Sequence, residues 1–403
     1  MKKLTGPFTQ ILPLTGLPLK GSLKDSQLQV VSNGWILSNN GRIVAIGTLE
    51  RLRRDHPSAQ IEEITDKRVA LPGFIDCHTH ICFAGNRAND YALRSSGKSY
   101  RDIAQSGGGI WDTVAATREA SEAMLAELLI KRAERHFSEG VTIIEVKSGY
   151  GLSVGQELKQ LRAIKAASHK TKAALVPTCL AAHIKPNDFG GNRGEYLELI
   201  SKELLPVIKI EGLAKRVDIF IDNSAFTAEQ AIPYLEKAKS LEFDITVHAD
   251  QFNTGGSSVA VETGAVSVDH LEATKDRDIK MIANSNTVAV ALPGASLGLG
   301  MGYAPARKLL DAGTCLAIAS DWNPGSAPMG DLLMQAAVLG AAEQLSAAEV
   351  FAGLTVRAAQ ALRLDNRGTL AIGAPGNLQL YPANDYREIL YNQGKLKPMM
   401  KSV

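Results

Sequence analysis

No apolar run in this 403-residue chain approaches the roughly 18 residues that a membrane-spanning helix needs, so a membrane role is not expected. Net charge is nearly absent as well. Lys+Arg 44 against Asp+Glu 42 leaves +2, which gives no general pull towards nucleic acid or a charged membrane surface. Any preference for an anion must come from a local site. Cysteine is scarce and shows no paired pattern. Cys77, Cys82, Cys179 and Cys315 form no CxxC motif, and three of them lie in apolar runs, so reduced, buried thiols are expected rather than a disulfide framework. The chain begins through Thr5, Gly6, Pro7, Thr9 and Gln10 without a sustained apolar segment, and the expected compartment is the cytoplasm. What is present is ordinary globular material, 45% apolar and 21% charged, enough for one large α/β domain and a smaller appendage.

Residues 28–32 and 34–37 read as short strands, with Asn39, Asn40 and Gly41 as a hairpin turn and 42–47 as the return strand. A second helix-poor piece lies at the far end, where 368–376 lead into an apolar stretch at 377–381. Chain ends often lie close together, so 1–68 and 366–403 are expected to build one small β-sandwich-like domain around an inserted middle. In that middle, 69–365, apolar strands alternate with helical stretches. Strands are expected at 69–79, 141–147, 173–182, 216–222, 244–249, 265–270, 287–292 and 315–320, with helices at 115–139, 155–168, 228–241 and 304–312. Eight such repeats fit a (β/α)8 TIM barrel better than an open sheet, and that fold places functional residues at the C-terminal ends of its strands.

His78 and His80 end the first of these strands, where positions i and i+2 share a face and both imidazoles can converge on one point. His183, His248 and His270 end the third, fifth and sixth strands, and Asp321 the eighth. Five of the eight histidines therefore fall at strand ends, while His56, His136 and His169 read as surface or helix-side residues. A lone rim histidine is commonly a satisfied structural group; the joint pattern is harder to explain that way.

The segments 72–80, His248, His270 and 319–321 resemble the amidohydrolase superfamily, and the chain is similar to the imidazolonepropionase family within it. The latter resemblance rests on Phe83 to Arg87, Gly107 to Ile110, Glu145 to Gly151, His248 to Gln251 with Gly255 and Gly256, Asp269 to Glu272, and Asp321 to Ser326. It implies a hydrolase that opens the cyclic amide of 4-imidazolone-5-propanoate to give N-formimidoyl-L-glutamate. It also implies His78, His80, His248 and Asp321 as ligands of one Zn or Fe ion per chain. Residues 217–222 offer no lysine to bridge two metals, which favours a single ion, and Lys147 reads as a structural or solvent-facing lysine.

Asp321 is suited to carry a proton from water to the leaving nitrogen, and His270 to polarise the attacked carbonyl. Gln251 has no useful protonation near neutral pH, so a hydrogen bond to the ring is its expected part in catalysis and binding. Asp250 is no automatic substitute, because it would face the other way along a continuing strand. Arg87 is the candidate clamp for the substrate's carboxylate tail, since a guanidinium binds a carboxylate through two parallel hydrogen bonds. Tyr100 and Tyr150 offer phenols, and His183, Asn323, Gly325 and Ser326 match positions that line the family's pocket. The alternatives are another cyclic-amide hydrolase or a deaminase on the same scaffold, and a non-catalytic assembly module. A deaminase usually needs an acid after the strand-five histidine, where Gln251 stands; an assembly module would be expected to lose metal ligands, and none is missing. A homodimer is the expected assembly.

Overall fold

The computed structural model describes residues 2–98 and 108–403. Five strands open the chain: β1 (Lys2–Ile11), β2 (Val31–Asn39), β3 (Arg42–Gly47), β4 (Gln60–Glu63) and β5 (Val69–Pro72). Eight follow: β6 (Phe74–Asp76), β7 (Val141–Lys147), β8 (Ala174–Ala182), β9 (Arg216–Ile221), β10 (Asp244–Ala249), β11 (Ser267–His270), β12 (Val288–Ala291) and β13 (Leu316–Ile318). The last two are β14 (Asn377–Tyr381) and β15 (Met399–Ser402).

Strands β6 to β13 form one eight-stranded sheet in chain order, parallel throughout, with helices between successive strands. This is the (β/α)8 barrel. Strands such as Val141–Lys147 and Val288–Ala291 are buried along nearly their whole length, as parallel strands covered by helices on one side and packed inside the barrel on the other must be. No ladder joins β13 to β6. The seam is closed just beyond the strand ends, where His80 N donates to Trp322 O at 2.9 Å and Asp321 N to His78 O at 3.1 Å.

The remaining strands make a second sheet in the order β15-β14-β5-β1-β2-β3, with β4 also paired to β1. Both chain ends contribute, as their composition implies. Its two faces carry separate cores: Phe8, Ile36, Leu378 and Leu380 in one, Leu4, Trp35, Leu37 and Leu52 in the other. Alternation of Ile36 and Leu37 across the pleat supplies both. Asn40 and Gly41, at φ 50° and 72°, turn the β2–β3 hairpin in the left-handed conformation that these residue types tolerate.

One expected strand is divided. Of the stretch 69–79, Val69–Pro72 pairs with β1 and β14 in the terminal sheet, and only Phe74–Asp76 enters the barrel. The transfer happens at Gly73, where a Cβ would collide with the Thr142 side chain. His78 and His80 thus stand on the segment after the strand rather than on a regular strand. The helix expected over 115–139 is likewise two, Ile110–Glu119 and Glu122–Ser138, the second capped by Ser121 Oγ, which accepts from Met124 N at 3.1 Å. All four cysteines are buried, and among the described residues no helix is long and apolar enough to cross a membrane.

Candidate metal-dependent active site

At the C-terminal end of the barrel the Nε2 atoms of His78, His80 and His248 close a small triangle, with His78–His80 at 3.2 Å, His78–His248 at 3.1 Å and His80–His248 at 3.3 Å. Burial pushes His78 and His80 well below the usual imidazole range and takes His248 down to about 3, which favours neutral rings, and with Nδ1 of His78 and of His248 facing carboxylates their Nε2 lone pairs point at one another. That arrangement is repulsive unless a cation sits among them. An ion about 2.0–2.1 Å from each of three tetrahedrally arranged nitrogens would hold those nitrogens roughly 3.3 Å apart, so the triangle fits a divalent metal ion. Two of the three outer ring nitrogens face carboxylates, His78 Nδ1 lying 2.6 Å from Asp269 Oδ2 and His248 Nδ1 2.9 Å from Asp218 Oδ2. Carboxylates behind histidines are the usual means of fixing the tautomer and orientation of a metal ligand.

Asp321 faces the same point, its Oδ1 3.3 Å from His80 Nε2 and 3.6 Å from His78 Nε2. Burial raises its carboxyl above the ordinary range, an effect opposed by His270 and His248. Asp321, His270 and Asp250 all have positive φ (49°, 88° and 53°), a conformation rare for residues other than glycine and concentrated at sites where the surroundings enforce it. Asn323 does so for Asp321, donating from Nδ2 to Asp321 Oδ2 at 3.0 Å, while its Oδ1 accepts from Gly325 N and Ser326 N, both at 2.8 Å. Asp250 accepts from Gly256 N and Ser257 Oγ at the start of the helix Gly256–Glu262 and from Thr274 Oγ1 after β11. Its carboxylate is therefore already engaged by these donors.

Beneath the triangle lies a buried ion cluster. Lys147 Nζ donates to Glu145 Oε1 at 2.9 Å and forms an ion pair with Asp218 Oδ2 at 2.8 Å, with all three side chains at 1% exposure or less. Burial alone would lower the Lys147 ammonium, but Asp218 and Glu145 outweigh it and hold the group charged. Lys147 is structural and does not face solvent. His136 is helix-side, as read, on the helix Glu122–Ser138, but it is not at the surface: it is fully buried, with Nε2 2.7 Å from Asp76 Oδ2, an oxygen that also accepts from Ser320 Oγ.

His80, His248, His270 and Asp321 reach a cavity of about 630 Å³. Arg87, Tyr150 and His183 form part of its wall, as do Gln251, Asn323, Gly325 and Ser326. Arg87 Nε donates to Asp90 Oδ2 at 2.7 Å, and its Nη1 packs so tightly over Gly325 that a Cβ there would collide with it. His183 places Nδ1 3.0 Å from Gly149 O. Tyr100 lies outside the described residues. Arg94, Phe252 and Met301 also line the cavity and were not singled out from the sequence. Arg94 had a signal: it follows Arg87 by seven residues, two helical turns, along the helix Ala88–Ser95.

Residues 69–393 match the amidohydrolase family model. The imidazolonepropionase of Symbiobacterium thermophilum is 38% identical over 392 residues, covering 96% of this chain and 92% of that relative. That of Myxococcus xanthus is 42% identical over 325 residues, covering 80% and 77%. Among solved structures, an adenosine deaminase from Xanthomonas campestris with bound zinc superposes with a TM-score of 0.68 at 17% identity, over 98% of this chain and 89% of that one. A guanine deaminase from C. acetobutylicum with bound guanine superposes at 0.66 and 13%, over 99% of each chain. At those identities the structural likeness speaks for the fold, while the sequence relatives carry the family. The chain belongs to the amidohydrolase family and, within it, to the imidazolonepropionases.

Proposed function

We propose that the chain hydrolyses the cyclic amide of 4-imidazolone-5-propanoate to N-formimidoyl-L-glutamate, a step of histidine degradation. The observation that carries this reading is the joining of two features in one cavity: the His78, His80 and His248 triangle with Asp321 beside it, and Arg87 on the wall. The metal is one Zn or Fe ion per chain, held by His78, His80, His248 and Asp321, because nitrogen and carboxylate donors suit either. Such an ion supplies Lewis acidity and draws the pKa of water towards neutrality.

The chain's own residues do the rest. Arg87 binds the propanoate carboxylate and fixes the ring's distance from the histidines. Gln251 hydrogen-bonds the ring, with Tyr150, His183, Gly325 and Ser326 shaping the pocket and Asn323 holding Asp321 in its strained conformation. His270, held above the usual imidazole range by Glu272 and Asp321 against the effect of burial, donates to the carbonyl oxygen as charge develops there. Asp321 takes a proton from the attacking water and delivers it to the ring nitrogen. The hydroxyl joins the carbonyl carbon, the ring C–N bond breaks, and one open-chain product carries both the new carboxylate and the formimidoyl-substituted amine. We further assign the protein to the cytoplasm, as a homodimer acting on a small molecule.

The test is loss of the imidazolone chromophore with purified, metal-analysed protein. Turnover with about one ion per chain is expected. No turnover, together with activity on an aminated ring or another cyclic amide, would transfer the assignment to the deaminase or cyclic-amide alternative.

A further inference from the structure

The ion cluster under the histidines is larger than ligand orientation alone requires. Glu145 uses one oxygen for Lys147 and the other, Oε2, to accept from Thr79 N at 3.1 Å. Thr79 is the residue between His78 and His80. It is held from β7 at two further points, by Thr79 Oγ1 donating to Glu145 O at 2.6 Å and by Lys147 N donating to Thr79 O at 3.0 Å. On the other side of the lysine, Asp218 Oδ2 meets both Lys147 Nζ and His248 Nδ1. One ammonium thus joins the segment carrying two of the histidines to the carboxylate behind the third.

We propose that Lys147 is a positioning residue for the metal site, its ammonium holding Glu145 and Asp218 together and through them fixing the His78–Thr79–His80 segment and His248. This rests on the reading of His78, His80 and His248 as metal ligands. Lys147 is not itself a ligand: both carboxylates engage its nitrogen, and it does not line the cavity. Its removal would leave two buried carboxylates facing each other with nothing between them, and such uncompensated charge is strongly unfavourable. Asp218 would relieve that repulsion by turning away, carrying Oδ2 off His248. Glu145 would shift its hold on Thr79. Each movement opens the nitrogen triangle, which tolerates little displacement because the ion must touch all three at a fixed distance.

Full-length protein stripped of metal and titrated with zinc against a chromophoric chelator tests this. Lys147→Met should weaken zinc binding on the order of 10- to 100-fold, the usual loss when a supporting group behind a metal ligand is removed. In an Asp218→Asn background the same substitution should cost several-fold less than in the wild type, because the route to His248 is already gone and only that through Glu145 to Thr79 remains. With saturating zinc, KM for the imidazolone should stay within about twofold of wild type, since Lys147 does not reach the substrate. Unchanged zinc affinity in Lys147→Met, equal losses in both backgrounds, or a large rise in KM would each overturn the inference. If Lys147→Met does not fold, Asp218→Asn alone carries it: a 10- to 100-fold loss is expected, and wild-type affinity overturns it. Wild-type protein that binds neither zinc nor iron would instead overturn the metal reading beneath it.

Discussion

Arg87 enters the cavity with its guanidinium divided between two tasks, Nε tied to Asp90 and Nη1 lying over Gly325. Removing it takes away charge-assisted hydrogen bonds worth about 1.5–3 kcal/mol each, so Arg87→Ala should raise KM on the order of 10- to 100-fold and leave metal content intact. Gly325→Ala probes the same contact without touching the charge. A methyl there must displace the flexible end of Arg87, and a several-fold rise in KM with an unchanged melting temperature is expected. Steady-state kinetics beside metal analysis decides it; an unmoved KM in both variants removes Arg87 from the site. At this scale the sequence was legible where chemistry and strand ends coincide, as at His248 and Asp321. It was opaque where a residue's role depends on what lies across the barrel. Nothing adjacent to His136 announces Asp76, sixty residues away in sequence, and Lys147 meets Asp218 only because β7 and β9 turn side chains into one interior.

Elements were legible in proportion to how well their pattern marked an edge. Strand β7 was bounded to the residue, because Gly140 precedes it and Ser148-Gly149 follows it. The stretch 69–76 gave no change of period from which to read a change of sheet, since every residue of it is buried, and Pro72-Gly73 was the one mark of the break. The same scale holds a cap worth testing. Glu349 caps the helix Ala347–Gly353 by accepting from Ser346 N at 2.7 Å, takes Leu23 N at 3.0 Å from the N-terminal segment, and pairs with Arg307 at 3.0 Å. Burial would raise its carboxyl, but Arg307 and the two backbone amides outweigh that and hold it below the usual carboxylate range. A depressed folded pKa contributes stability above the unfolded value of about 4.3, and that contribution is lost as pH falls through the folded value. Glu349→Gln should therefore destabilise the protein by about 1–3 kcal/mol at pH 7, with the gap to wild type closing as pH is lowered below about 4. Denaturant melts at a series of pH values check this; a gap constant with pH would show that the charge is not what matters.

Across the whole molecule, the eightfold alternation and the return of the chain end to a β-rich start were both readable, because each repeats over many residues and tolerates local error. The site of barrel closure was not readable, since it depends on which backbone groups meet after the strands end. That closure gives the metal a second consequence. His78 and His80 lie on one side of the seam and Asp321 on the other, joined by backbone hydrogen bonds and by Ser320 N and Oγ donating to the Asp76 carboxylate. An ion held by all of them ties the first strand to the last, so it binds the folded barrel and has no comparable site in the unfolded chain. With free metal at about 100 times its dissociation constant, binding should stabilise the fold by about 2.7 kcal/mol. Chelation should accordingly lower the melting temperature by several degrees and speed amide exchange first in 76–83 and 318–323, while the terminal sheet stays protected. Loss of protection spread evenly over the barrel, or a melting temperature indifferent to chelator, would mean that the seam holds without the ion.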